Sequence, residues 1–279
     1  MNPKYLQLFI NIAAAVVGLF VIGYVAYSWL RTEAEAPCGT RYPAATRFSL
    51  QTREGKPLSA IELQARAGLR DFGVVDNAAV VHVEGGPAPE ALEVRLRKLP
   101  PGADADAIAR NGIEFHWAPP GMAHAAATCL SYSVWLPDKF AFGTGGFLPG
   151  VFGKGAKLEP DAADRALSVF PRWDESGKPM LTAVLEGGEI RRISGKVAAL
   201  PTERWFKIEQ EVVLNEPGKA DGRIRLWVNG VLALEDLHVP LRRSDDAVLS
   251  GVLASIGYQR APDLSTGMLR VSPFEIAWR

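Results

Sequence analysis

The sequence predicts an all-β protein, an antiparallel sandwich or jelly roll, preceded by one N-terminal transmembrane helix. Three observations point there. About a dozen short runs read as strands separated by turn residues, without the strand–helix alternation that a doubly wound fold needs. The 27 glycines and 20 prolines are spread along the whole 279-residue chain, as many tight turns require. Leu6 to Leu30 (LQLFINIAAAVVGLFVIGYVAYSWL) carries no charge, and its length suffices to cross a hydrocarbon core of roughly 30 Å at ~1.5 Å per residue.

From the N-terminus onward, Tyr24, Tyr27 and Trp29 lie near the far end of the apolar run, where aromatic rings favour the membrane interface. A cleaved signal peptide is the rival reading. Its apolar core usually spans about 7–15 residues and ends at small residues, whereas this run ends Tyr-Ser-Trp-Leu-Arg. Residues 1–30 are therefore read as an uncleaved anchor. Lys4 precedes the span and Arg31 follows it, so the charge rule leans only towards an N-terminus inside and a periplasmic or extracellular bulk. Residues 31–45 (RTEAEAPCGTRYPAA) read as a polar stalk, and residues 46–279 as the β domain. Cys38 and Cys129 would form one bridge in an oxidising compartment or stay as two thiols.

Within the β domain, strands are expected at 46–52, 73–84, 91–98, 112–118, 129–136, 166–173, 180–186, 189–194, 204–214, 222–228, 231–239, 249–258 and 268–278. Ser59 to Ala67 reads as a short helix, with Ser59 as cap and Glu62 three residues on. Ala105 to Arg110 reads as a further turn. In 91–98, Leu92, Val94 and Leu96 alternate with Glu93, Arg95 and Arg97, the period of a half-buried strand. In 204–214, Phe206, Ile208, Val212 and Leu214 face one way, while Trp205, Lys207, Glu209 and Glu211 face the other. Gly222 to Glu235 is the clearest hairpin, because Asn229-Gly230 separates two alternating runs and both residues tolerate positive φ. A closed barrel is the alternative all-β arrangement.

Acidic and basic residues balance at 31 each, so no basic excess exists to neutralise the phosphates of a nucleic acid. GxSxG, HExxH and phosphate-loop patterns are absent, and no Cys/His spacing suits zinc. No metal or cofactor is expected. The histidines are scattered; His116, near Glu114 on a strand, reads as structural or solvent-exposed. One stretch stands out. GTGGFLPGVFGK, Gly143 to Lys154, mixes turn residues with an apolar load that a surface linker would not carry, and reads as a loop packed over something.

YSVWLPDKFAFGTGGFLPGVFGK resembles the segment of polysaccharide lyase family 14 in which a strand leads into a Gly-Gly-Lys-Leu-Pro-Gly loop. RWFKIEQEVVLNEPGKADGRIRLWVNG resembles that family's Trp-led strand and its Trp-Val-Asp/Asn-Gly hairpin. SVFPRWDESGK resembles the strand between them. The resemblance covers roughly residues 90–279. It implies a concanavalin-like jelly roll whose concave face holds an acidic polysaccharide, such as alginate or a glucuronan, cut by β-elimination. That reaction needs a cation or donor on the uronate carboxylate, a base for the C5 proton and an acid for the leaving oxygen. In the resemblance, the family's loop lysine falls on Phe147. Ser168 matches its serine, Phe170 takes the place of its arginine, and its tyrosine pair falls near Thr182 and Val184.

The expectation is thus a membrane-anchored module that binds a uronate polysaccharide with reduced or no elimination. Alternatives are an active lyase with a relocated lysine and arginine, and an envelope scaffold that contacts another protein. Candidate catalytic residues are Lys154, Arg172 and Ser168. Candidate substrate contacts are Phe147, Lys154, Ser168, Phe170, Arg172 and Trp173. The plainer readings are solvated loop lysines for Lys154 and Lys157, and a core position for Trp173. Arg223, Arg225 and Trp227 form a second basic, aromatic face that either meets a glycan or is merely solvated. Arg191 and Arg192 read as surface residues.

Overall fold

The computed structural model describes residues 15–23, 35–42, 44–68, 71–97, 111–122, 124–154, 167–259 and 267–279. The chain divides into two compact units, Met1–Ala36 and Pro37–Arg279. In the first, residues 15–23 are helical (α1). The rest of the expected span at 6–30 lies outside the described residues. Among the described residues no helix is long and apolar enough to cross a membrane.

The second unit is built from strands β1 (Thr46–Arg47), β2 (Asp71–Phe72), β3 (Ala78–His82), β4 (Glu90–Leu96), β5 (Ile113–Trp117) and β6 (Ala127–Trp135). There follow β7 (Gly146–Phe147), β8 (Gly150–Lys154), β9 (Leu167–Trp173), β10 (Pro179–Val184), β11 (Ile190–Ser194) and β12 (Trp205–Val213). The last are β13 (Gly222–Val228), β14 (Val231–Val239), β15 (Val248–Tyr258), β16 (Gly267–Val271) and β17 (Glu275–Trp278). Helix α2 (Ala60–Ala67) and the single turn α3 (Val74–Asn77) lie between β1 and β3. The first sheet runs β14-β13-β12-β6-β16-β4-β3, with β17 on β6 and β1 on β17. The second runs β11-β10-β9-β7-β15-β5-β2, and β8 continues β7 between β9 and β15.

The inner faces share one core. Phe206, Ile208 and Val212 from β12 belong to it, as do Leu167, Val169 and Trp173 from β9. Two polar side chains cross this core. Tyr132 on β6 donates its hydroxyl to the Pro149 carbonyl at 2.8 Å, and Gln210 on β12 donates to the Val169 carbonyl at 2.8 Å. Burial raises the Tyr132 phenol well above its ordinary pKa, so it remains a hydrogen donor.

Several elements form as the sequence implies. Ser59 caps α2, and Glu62 reaches back to complete the box. Asn229 (φ 50) and Gly230 (φ 78) turn the β13–β14 hairpin with positive φ at both positions, the requirement of the tight primed turn. Other elements differ. The expected strand at 73–84 begins instead with Gly73 in the left-handed region and the turn α3, which Asn77 fixes by donating to the Gly112 carbonyl at 2.7 Å. The expected strand at 46–52 pairs as a strand only at Thr46–Arg47, against β17. The expected strand at 268–278 is two, β16 and β17, both paired with β6. Pro273 separates them and has no N–H to continue the ladder. The turn expected at 105–110 lies outside the described residues.

The Gly143–Lys154 stretch is not a loop over the sheet but a strand within it. β7 and β8 form one interrupted central strand between β9 and β15. At the break, Leu148 turns its side chain into the core and keeps its N–H on the Pro171 carbonyl at 3.0 Å. Tyr132 satisfies the adjoining Pro149 carbonyl. A Cβ on Gly146 would lie 2.0 Å from Trp173 Cζ2, and Trp173 is pinned by its Nε1 donating to the Phe142 carbonyl at 2.9 Å. Gly146→Ala is therefore expected to destabilise by the ~1–3 kcal/mol of an overpacked core, or more. An unchanged melting temperature would show that the indole is free to move.

The sandwich unit begins at Pro37, inside the polar segment. Residues 37–42 lie as a strap on the outer face of the first sheet, fixed by a Cys38–Cys129 disulfide. Beneath it Glu211 is 3 % exposed and takes Arg41 at 2.9 Å, Arg225 at 3.1 Å and the Tyr42 hydroxyl at 3.2 Å. Burial, and behind it the Glu211 charge, push the Tyr42 phenol up to about 12. Arg225 also pairs with Glu235 at 2.7 Å, and Arg41 stands over the Trp227 ring at 5.6 Å. Arg225 and Trp227 are thus covered, and the basic face read on β13 is not open to a glycan there.

Candidate functional site

Strand parity decides which side chains leave the sandwich on the second sheet. On β9, Leu167, Val169 and Trp173 point into the core, so Ser168, Phe170 and Arg172 point outward. Register extends this across the sheet. Phe147 lies opposite Arg172, and Arg172 opposite Met180. Phe170 lies opposite Thr182, and Thr182 opposite Arg192. Phe152 lies opposite Ser168, and Ser168 opposite Val184. All five positions singled out by the resemblance (Phe147, Ser168, Phe170, Thr182 and Val184) therefore share one face.

The centre of that face is aromatic and cationic. The rings of Phe147 and Phe170 have centroids 6.0 Å apart. The Arg172 guanidinium lies over the Phe147 ring at 4.8 Å and donates Nη2 to Gln259 Oε1. Burial, and secondarily repulsion from Arg192, lower the Arg172 pKa; at this residue type the cation persists throughout the neutral range. Towards the other end of β8 the face closes. Ser168 is 2 % exposed, and the His116 ring stands edge-on to Phe152 at 4.7 Å. β5, which carries His116, is three strand spacings from β9, about 14 Å.

The sequence candidates separate accordingly. Phe147, Phe170 and Arg172 come together. Ser168 shares their face but is closed to solvent. Lys154 is exposed at the end of β8, six strand positions from the level of Arg172, about 20 Å at ~3.3 Å per residue. The two cannot serve one glycosidic bond. Lys157 lies outside the described residues. Trp173 is a core residue, 1 % exposed and packed on Phe140 and Tyr258, so it offers no stacking surface. Thr182 and Arg192 were not legible as partners, because only the pairing of β9, β10 and β11 aligns them.

This arrangement can receive the apolar face of a sugar ring on its phenylalanines and a carboxylate on its guanidinium. Among the described residues no tyrosine stands on it. Tyr132 and Tyr258 lie in the core, and Tyr42 belongs to the strap, where its hydroxyl donates to Glu211. A metal site fares no better. Cys38, Cys129 and Glu209 bring ligand atoms within 4.8 Å of one another, but the two sulfurs are bonded to each other.

Comparison with known proteins supplies the family context. Residues 192–258, from β11 to the end of β15, match the family model described as Polysaccharide lyase 14. The sandwich superposes on the marine PL-14 alginate lyase from Aplysia kurodai with a TM-score of 0.66. The chain has a polysaccharide lyase 14 fold. The Aplysia comparison runs at 19 % identity and covers 85 % of this chain and 100 % of that one. Alginate lyase vAL-1 from a Chlorella virus gives a TM-score of 0.62 at 18 % identity, covering 78 % of this chain and 97 % of that one. The endo-β-1,4-glucuronan lyase of the fungus Trichoderma reesei gives 0.51 at 12 % identity, covering 72 % and 87 %. No curated protein matches the chain in sequence. The resemblance read from the sequence therefore holds. The family match of the lyase-type sandwich contains Arg192, whereas Phe147, Ser168, Phe170, Thr182 and Val184 precede it.

Proposed function

We propose that this chain is a membrane-anchored polysaccharide lyase-like protein that binds an anionic uronate polysaccharide on the outer face of its second sheet without cleaving it. The observation that carries the reading is the Phe147–Phe170 pair with the Arg172 guanidinium over the Phe147 ring. Aromatic rings and a guanidinium recognise a uronate, but neither is the lysine or phenol that the resemblance assigns to elimination. The names of the structural neighbours, alginate and glucuronan lyases, supply the substrate class. The disulfide favours an oxidising compartment outside the cytoplasm, in keeping with the uncharged run at 6–30.

Affinity gels of alginate and of glucuronan test the binding. The purified chain is expected to be retarded on at least one, and to release no unsaturated uronate absorbing in the near ultraviolet. Phe147→Ala is expected to weaken retention about tenfold, the scale of ring stacking combined with a cation–π contact. Passage through every acidic-glycan gel without delay sinks the proposal, and ultraviolet-absorbing product restores the active-lyase reading. Release of the full chain from membranes by an alkaline wash would remove the anchor.

A further inference from the structure

Alternation on β12 puts a tryptophan on its polar face, and the fold gives it a neighbour. Val134 and Phe206 point into the core, so Trp135 on β6 and Trp205 on β12 point out of the first sheet. The two are direct partners in register, about 4.8 Å apart across the ladder, and both stay partly open to solvent. Trp227, which also points outward on this sheet, is instead roofed by the strap and fully buried. The open row continues on β16 and β4, where Arg270 lies opposite Trp135 and Glu93 opposite Arg270. The Arg270 guanidinium is over the Trp135 ring at 5.1 Å and pairs with Glu93 at 3.0 Å. One step along on the same face, Met268 lies opposite Arg95. Met268 is partly open and Arg95 exposed, and Arg95 has no carboxylate partner among the described residues. Gly86 of the β3–β4 turn stands beside Trp205, since a Cβ there would lie 3.4 Å from the indole Nε1.

We infer that Trp135 and Trp205, with Arg270 and Arg95, form a second site for a uronate polysaccharide, on the sheet opposite the first. An indole offers a broad flat surface to the apolar face of a sugar ring. Two cations against one acid leave Arg95 for a carboxylate, which a guanidinium takes in two parallel hydrogen bonds. The row from Trp205 to Glu93 crosses three strand spacings, about 14 Å, a run that suits an extended chain better than a single small molecule. The site rests on the polysaccharide-binding reading for its ligand class and extends it. One protein then holds two polymer segments, on the outer faces of two sheets, and each bound segment raises the effective concentration of the other.

Calorimetric titration of the full-length chain with an alginate tetrasaccharide tests it. Two tetrasaccharides should bind per chain. Arg95→Glu changes an exposed position and should leave the melting temperature where it is. It should weaken one of the two binding events about tenfold, because it sets a carboxylate against a carboxylate. Trp135→Ala combined with Trp205→Ala should abolish the same event, whereas Phe147→Ala should weaken the other. One tetrasaccharide per chain, weakened by Phe147→Ala and untouched by Arg95→Glu and by the tryptophan pair, overturns the second site and leaves the binding reading standing. One per chain with the reverse pattern keeps this site and removes the first. Failure of the wild type to bind the tetrasaccharide removes both.

Discussion

Removal of the Cys38–Cys129 bridge, by Cys38→Ser with Cys129→Ala, is expected to destabilise the sandwich by about 4–5 kcal/mol. The bridge joins residues 91 apart in sequence, and the chain entropy that such a loop withdraws from the unfolded state sets that scale. Urea unfolding of the variant, compared with the oxidised wild type, measures it. The midpoint should fall and the slope should rise, because the unfolded chain is no longer cross-linked and exposes more surface. A loss below ~1 kcal/mol would mean that the strap is held by its other contacts. Those contacts are considerable, since residues 37–42 also rest on Glu211 and Trp227.

Glu211→Ala is expected to cost about 3 kcal/mol, the lower end of the penalty for breaking a buried ion pair, because Arg225 retains Glu235. Arg225, whose side chain is 6 % exposed, loses its more deeply buried carboxylate and keeps Glu235 at 2.7 Å; Arg41, at 30 %, can turn to water. Pairing Glu211→Ala with Arg225→Met should recover most of the loss, because a buried pair replaced by apolar groups is often neutral. If the double variant is no more stable than the single, the loss comes from packing and not from charge. Glu211 lies opposite Cys129 in register, so the combined variant should lose less than the sum of the two separate losses.

Much of this fold could be read one strand at a time. The β13–β14 hairpin, the alternation of β12 and the capping box of α2 are local signals, and each formed where its residues implied. What failed depended on neighbours distant in sequence. Glycines and a proline made Gly143–Lys154 resemble a loop, yet the glycine at 146 is there because the Trp173 ring fills the space where a side chain would stand. Gly73 and Pro273 broke runs that looked continuous, because one sets a left-handed turn and the other removes a ladder donor.

The site divided in the same way. Resemblance named Phe147, Ser168 and Phe170, and the parity of β9 puts Arg172 on their face. Trp173, the next residue in the same motif, faces the core by the same parity. The alignment of Thr182 and Arg192 beside Phe170 emerges only from the register of three strands. The covered state of Arg225 and Trp227 follows from a strap whose Cys38 is bonded to a residue 91 positions further on, beyond the reach of any local pattern.

Tyr132 and Gln210 give the sandwich a property that neither sheet has alone. Each belongs to the first sheet, and each grips a carbonyl of the second, at the kink of the central strand and at Val169 of β9. The proposed ligand-facing surface thus takes its backbone coordinates partly from a layer about 10 Å away. Adaptation to a new ligand therefore has a path through residues that no ligand touches. A mutational library confined to the outward side chains would leave that path unsearched.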